Sequence, residues 1–134
     1  MTESEHSSAL VRAFIAPDRH ERYLALLSSP KGRAKLRARF AHLRDLDQRF
    51  ARPIPPSQHT PVALAALLQA RGAPTECVLL AEDAGLDGQQ MPLVDALTAV
   101  VGRGMGAFVS CLPGRLAYYE GEDAGDRYLL ERAI

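Results

Sequence analysis

The sequence has no tryptophan, only two cysteines and two lysines, and a formal net charge of zero. None of its apolar runs approaches the roughly 18–20 residues that a membrane-spanning helix needs. The polar first eight residues are unlike a secretory signal peptide, and two cysteines are too few for a disulfide-rich secreted domain. We therefore expect a small globular protein of the cytoplasm, with no contact with membranes.

Length and composition predict a single domain over residues 1–134. Domains cluster at about 100–150 residues, and a hydrophobic fraction of 47% is typical of a globular chain. Arginine and alanine are both abundant, which indicates GC-rich coding and a bacterial source. Residues 1–60 hold 11 basic and 6 acidic side chains, whereas residues 61–134 hold 5 and 10. This asymmetry is typical of two complementary layers that pack together.

The first half of the chain, residues 1–72, is predicted to be helical because apolar residues recur there at spacings of three and four. Asp18, Ser29 and Thr60 are candidate N-caps, and prolines follow the last two. A proline-rich stretch, residues 51–59, predicts an extended linker internal to the domain. The predicted helices are 8–15, 18–28, 30–47 and 61–71.

The second half, residues 73–134, predicts a small sheet. Short apolar runs indicate four strands, and a helix that begins after Pro92 and ends near Gly102 lies between the first two. A helical connection permits those two strands to be parallel, with a right-handed crossover. We therefore predict an α+β fold with the N-terminal helices packed on a mixed β-α-β-β-β sheet. The predicted strands are 77–81, 107–112, 115–120 and 127–132.

The candidate ligand site lies in this sheet half. Glu82 ends the first strand and Asp87 lies in the loop after it, where ligands bind in parallel βα units. The later hairpin contributes Arg115, Tyr118 and Glu120. An enzyme built on this site would use the three carboxylates as acid, base or metal ligands, with Arg115 holding an anion.

A basic strip on the predicted helix 30–47 suggests a second kind of ligand. Arg33, Arg37 and Arg44 project within about 40° of each other at 100° per residue, and such a strip can bind phosphates. The neutral net charge and the lack of interleaved aromatic residues argue against a nucleic-acid-binding domain.

Other reactive residues favour structural roles. Cys77 and Cys111 lie in apolar runs and are predicted to be reduced core thiols, because no histidine in the sheet half could activate Cys111. No metal site is predicted, since His42, Asp45 and Asp47 lack a second ligand pair. The glycines of residues 102–106 follow a helix, which favours a C-cap over a phosphate-binding loop. No cofactor is predicted.

The absence of a catalytic signature favours a non-catalytic binding or interaction module. The alternatives are an enzyme that uses Glu82, Asp87 and Glu120 with Arg115, and a nucleic-acid binder. The predicted helix 61–71 is apolar on nearly every side, and strand 127–132 is a candidate sheet edge. Since symmetric dimers are the commonest oligomers, we predict a homodimer through one of these two elements.

Overall fold

The computed structural model describes residues 3–133, and its centre is a six-stranded sheet in the order β1-β6-β5-β4-β2-β3. Every pair of neighbouring strands is antiparallel. The predicted α+β class is confirmed, whereas the prediction of a mixed sheet is wrong. The strands are Ala51–Pro53 (β1), Glu76–Ala81 (β2), Gln90–Pro92 (β3), Ala107–Leu112 (β4), Leu116–Glu120 (β5) and Arg127–Glu131 (β6).

Within residues 3–133, five α-helices accompany the sheet, and two of the predicted N-caps are confirmed. Ser29 accepts a hydrogen bond from the Gly32 N–H at 3.0 Å, and Thr60 accepts one from the Ala63 N–H at 3.1 Å. Asp18 instead lies in a 3-10 turn before α2. No helix within residues 3–133 is long and apolar enough to cross a membrane. The helices are Glu3–Phe14 (α1), His20–Leu27 (α2), Pro30–Arg37 (α3), Pro61–Ala70 (α4) and Leu93–Val100 (α5).

Strands β2 and β4 were predicted to be parallel, and the extra strand β3 explains why they are not. The segment after β2 does not cross directly to a helix, because β3 runs back beside the first half of β2. Helix α5 therefore begins near the start of β2, where the Leu93 N–H donates to the Thr75 carbonyl at 2.8 Å. α5 then returns the chain to the far end, so β4 must run antiparallel to β2.

The predicted helix 30–47 ends at Arg37, since the following backbone groups have tertiary partners. The Phe40 carbonyl accepts from the Tyr119 hydroxyl, and the Ala41 carbonyl accepts from the Glu122 N–H. Further along, the Asp47 N–H donates to the Phe14 carbonyl at 2.7 Å. These bonds replace the helical ladder, while the apolar side chains still reach the core. The predicted linker 51–59 likewise contains β1 and a 3-10 turn.

Helices cover both faces of the sheet, because successive strand residues point to opposite sides. One core joins α4 and α5 to strand residues such as Leu79, Val109 and Tyr118. The other joins α1, α2 and α3 to residues such as Leu80, Phe108 and Tyr119. All five residues of β5 are buried, so the centre of the sheet has no solvent-facing side.

Gly106 tests the contact between the sheet and the turn after α3. A Cβ atom at Gly106 would overlap backbone atoms of Phe40 and Ala41. Backbone atoms cannot move away by a change of rotamer, as a flexible side chain can. We expect Gly106→Ala to lower the free energy of unfolding by about 2–3 kcal/mol, as other overpacked sites do. Urea denaturation measures this change. Gly125→Ala is the matched control, because that position has no atom within 4 Å. Equal midpoints for the two variants would contradict the contact.

Candidate functional site

The structure does not bring the five predicted ligand-binding residues into one pocket. Glu82 and Glu120 lie at the same end of the sheet, beside Ala107, but alternation places them on opposite faces. Arg115 is exposed in the hairpin turn at the other end of β5. Glu82 Oε1 accepts from the Gly106 N–H at 3.2 Å, which ties it to the backbone.

Glu120 and Tyr118 belong to a buried ionic cluster on the α4–α5 side. Glu120 is fully buried and accepts from the Tyr118 hydroxyl at 2.8 Å and from the Gly102 N–H at 2.9 Å. Its cross-strand partner Arg127 places Nε 3.1 Å from Glu120 Oε1, without the alignment of a hydrogen bond. Burial, followed by the charge of Glu120, raises the pKa of Tyr118. The cluster anchors the end of α5 to the sheet.

Asp87 belongs to a second cluster, on the α1–α3 side. Its carboxylate receives two bonds from Arg33, from Nε at 2.7 Å and from Nη2 at 3.2 Å. The Ala81 N–H adds a third, at 3.0 Å. Arg33 Nη2 also lies 2.5 Å from Glu3 Oε1. Burial lowers the pKa of Arg33, but the bonds and charges of Asp87 and Glu3 outweigh it, so the net shift is upward.

This second cluster takes up two of the three arginines in the predicted basic strip. The Arg37 guanidinium lies 3.7 Å from Asp87 Oδ2 and donates to the Glu82 carbonyl at 3.2 Å. The side chains of Arg33 and Arg37 are each only 20% exposed. Arg44 is exposed, but α3 ends at Arg37, so the three residues do not form one helical strip.

A histidine–serine pair joins residues that are 104 positions apart. His6 Nδ1 and Ser110 Oγ are hydrogen-bonded at 2.7 Å, and both side chains are buried between α1 and β4. Burial lowers the pKa of His6. The sequence signal for a buried His6 is its position four residues before Leu10, which places the two residues on the same face of α1. The predicted first helix began at residue 8, whereas α1 begins at Glu3, so His6 lay outside the predicted helix.

His6 also lines a cavity of about 280 Å³ at the end of the sheet where β2 begins. Ser110 is 1% exposed and does not line this cavity, so its hydroxyl is not placed to attack a bound molecule. The geometry fits a packing role for the pair better than nucleophilic catalysis. Within residues 3–133, no group of three or more histidine, cysteine or acidic side chains could hold a metal ion. The cavity is lined by His6, Pro74, Glu76, Cys77, Val78, Gln90, Cys111 and Leu112.

Within residues 3–133, the large hydrophobic side chains that are exposed lie on the outward face of α4 and α5. Val62 on α4 is 78% exposed and Val94 on α5 is 46% exposed. α4 has no charged residue among its ten, and α5 has only Asp95. Solvated helix faces normally carry charged side chains, so this face differs from an ordinary surface.

Comparisons with protein-family models, curated proteins and solved structures found no match. The surfaces and clusters described above are therefore the basis for assigning a function.

Removal of the Asp87 charge should expose the structural role of its cluster. In Asp87→Asn, Arg33 loses the charge of Asp87 and keeps that of Glu3. We expect the free energy of unfolding to fall by about 2 kcal/mol, because Arg33 and Asp87 both retain some contact with solvent. Urea denaturation at neutral pH measures the loss. Asp123→Asn, in the exposed loop before β6, should change stability little. An unchanged midpoint for Asp87→Asn would show that the cluster does not stabilise the fold.

The pKa of His6 predicts how stability changes with pH. In the folded protein that pKa lies below its ordinary value of 6.5, so the unfolded chain binds the proton first. The contribution of His6 to stability is complete above pH 6.5, falls as the pH drops below it and levels off beneath the folded pKa. Urea denaturation of the wild type and His6→Gln at pH 7.5 and pH 5 isolates this effect. We expect the wild type to lose more stability than the variant, and equal losses would contradict the assignment.

Proposed function

We propose that this protein is a non-catalytic interaction module that forms a homodimer through the outward face of α4 and α5. The observation that carries the proposal is the 78% exposure of Val62, on a helix without a single charged residue. Burial of apolar surface is worth about 25 cal/mol per Å². A second copy that covers this face gains that free energy without desolvating a row of charges.

The contrast with the opposite side of the molecule supports this choice of surface. The exposed parts of α2 and α3 carry Glu21, Arg22, Lys31 and Lys35, as a solvated surface does. The exposed residues of α4 are Val62, Ala66, Gln69 and Ala70. Small side chains let two helices approach closely, and a two-fold axis would set the same patch against itself.

The sheet edges are poorer candidates for association. β6, which contains most of the predicted edge strand 127–132, pairs with β5 on one side and with β1 on the other. The true edges, β1 and β3, have three residues each and end in Pro53 and Pro92, which have no N–H to donate. Extension of the sheet across a dimer therefore has less support than helix packing.

The two alternative functions have weaker support. The carboxylate enzyme requires Glu82, Asp87 and Glu120 to converge, but Glu120 lies on the opposite face from Glu82 and is bonded within its own cluster. The nucleic-acid binder requires free arginines, but Arg33 and Arg37 contact Asp87. A cytoplasmic location is part of our proposal, and the two unpaired buried cysteines support it.

Light scattering on the full chain tests the dimer. At low micromolar concentration we expect about twice the 14.6 kDa chain mass. Val62→Glu should bring the mass back to that of one chain, because it would bury two charges at the two-fold contact. Ala25→Glu, at an exposed position of α2, is the matched control and should remain dimeric.

Both variants are expected to retain the far-ultraviolet circular dichroism of the wild type. Val62 is 78% exposed, so its replacement removes little buried apolar surface. A wild-type mass of 14.6 kDa across this range would overturn the proposal. Dissociation by Ala25→Glu alone would move the interface to the other side of the molecule.

A further inference from the structure

We infer that Cys77 and Cys111 form a redox pair, which hydrogen peroxide converts to an intramolecular disulfide between β2 and β4. The register of these strands carries the argument. Leu79 lies opposite Val109, and Val78 lies opposite Ser110. One further step along the antiparallel register sets Cys77 against Cys111.

The backbone hydrogen bonds define what kind of position this is. The Leu79 N–H donates to Gln89 and the Leu79 carbonyl accepts from Gly88, so both groups point away from β4. Cys77, two residues earlier on the same strand, shares that orientation. Opposite residues at such non-hydrogen-bonded positions have Cα atoms about 4.5 Å apart, and disulfides span Cα separations of about 4.4–6.8 Å. The strand geometry therefore suits a disulfide.

Both side chains lie on the same side of the sheet, in the core under α4 and α5. Their thiols make only weak contacts, from Cys77 Sγ to the Met91 carbonyl at 3.5 Å and from Cys111 Sγ to the Val109 carbonyl at 3.9 Å. Cys111 is the extra residue where the β4–β5 register shifts between Ser110 and Leu112. A bulged residue is less constrained by the ladder, so rotation of its side chain toward Cys77 breaks no strong bond.

The cavity of about 280 Å³ gives the pair room and an entry path, because both cysteines line it. Glu76 and Gln90, which also line it, are exposed and mark its solvent side. A small neutral oxidant such as hydrogen peroxide fits this space. The imidazole of His6 is the basic group in the cavity lining.

The chemistry balances with one equivalent of peroxide. One cysteine, as thiolate, attacks a peroxide oxygen, which breaks the O–O bond and releases water after proton transfer, leaving a sulfenic acid. The second sulfur then attacks the sulfenic sulfur and displaces a second water as the S–S bond forms. Two thiols are oxidised by two electrons, and the peroxide is reduced to two waters. Burial raises the pKa of Cys77 to about 12, so the thiolate is scarce and the reaction is slow.

Intact-mass spectrometry of the native full chain tests the pair. The protein is treated with excess hydrogen peroxide at neutral pH, denatured, and labelled with N-ethylmaleimide. We expect a species that has lost two hydrogens and takes no label, and that regains two labelled thiols after reduction by dithiothreitol. Cys77→Ser and Cys111→Ser should instead keep one labelled thiol or gain oxygen.

A shifted pair supplies the geometric control. In Cys77→Ser with Leu79→Cys, the new thiol lies on the same face but opposite Val109, so it should form no disulfide with Cys111. If that variant does not fold, the comparison of native and urea-unfolded wild type replaces it. Formation of the disulfide only in the unfolded chain, or oxygen addition to the native wild type without loss of two hydrogens, would overturn the inference.

Discussion

The strand pair β4–β5 is buried on both faces, and this single constraint organises the rest of the chain. Its residues alternate between the two cores, so Tyr118 faces one layer and Tyr119 the other. A sheet with two apolar faces needs helices on both sides. The chain supplies α1–α3 for one face and then crosses at β1 to supply α4 for the other. The linker predicted at residues 51–59 performs this crossing as part of the sheet.

Helix caps and the bounds of one strand could be predicted from the sequence, because residues close together in the chain determine them. The caps at Ser29 and Thr60 depend on residues three positions away, and the bounds of β4 follow from one apolar run. Strand direction could not be predicted, since β3 contains only three residues and ends in a proline. The end of α3 could not be predicted either, because the hydrogen-bond partners of the Phe40 and Ala41 carbonyls come from residues about 80 positions later.

The candidate site was the least predictable part, because it depends on which charged side chains form ion pairs in the folded protein. The basic first half and the acidic second half were expected to be complementary, and specific pairs account for this. Arg33 forms an ion pair with Asp87, and Arg52 forms one with Glu131 at an N–O distance of 2.6 Å. His42 lies 2.7 Å from Glu122. Arg33 and Asp87, which the sequence offers as ligand-binding residues, are instead paired with each other, and no local pattern reveals that pairing.

Both sides of the sheet have an apolar core, but the two sides differ in their polar contacts and in their outer surfaces. The α1–α3 side is pinned by directional bonds around Asp87 and by the carbonyls of the turn at Phe40–His42. The α4–α5 side has the buried ion pair of Glu120 with Arg127, and its outward face exposes Val62 and Val94. Apolar packing is non-directional, so the outward face of α4 and α5 can pack against another apolar surface. For this reason both the proposed interface and the cysteine pair fall on the same side of the sheet, where neither has to break a network of charges.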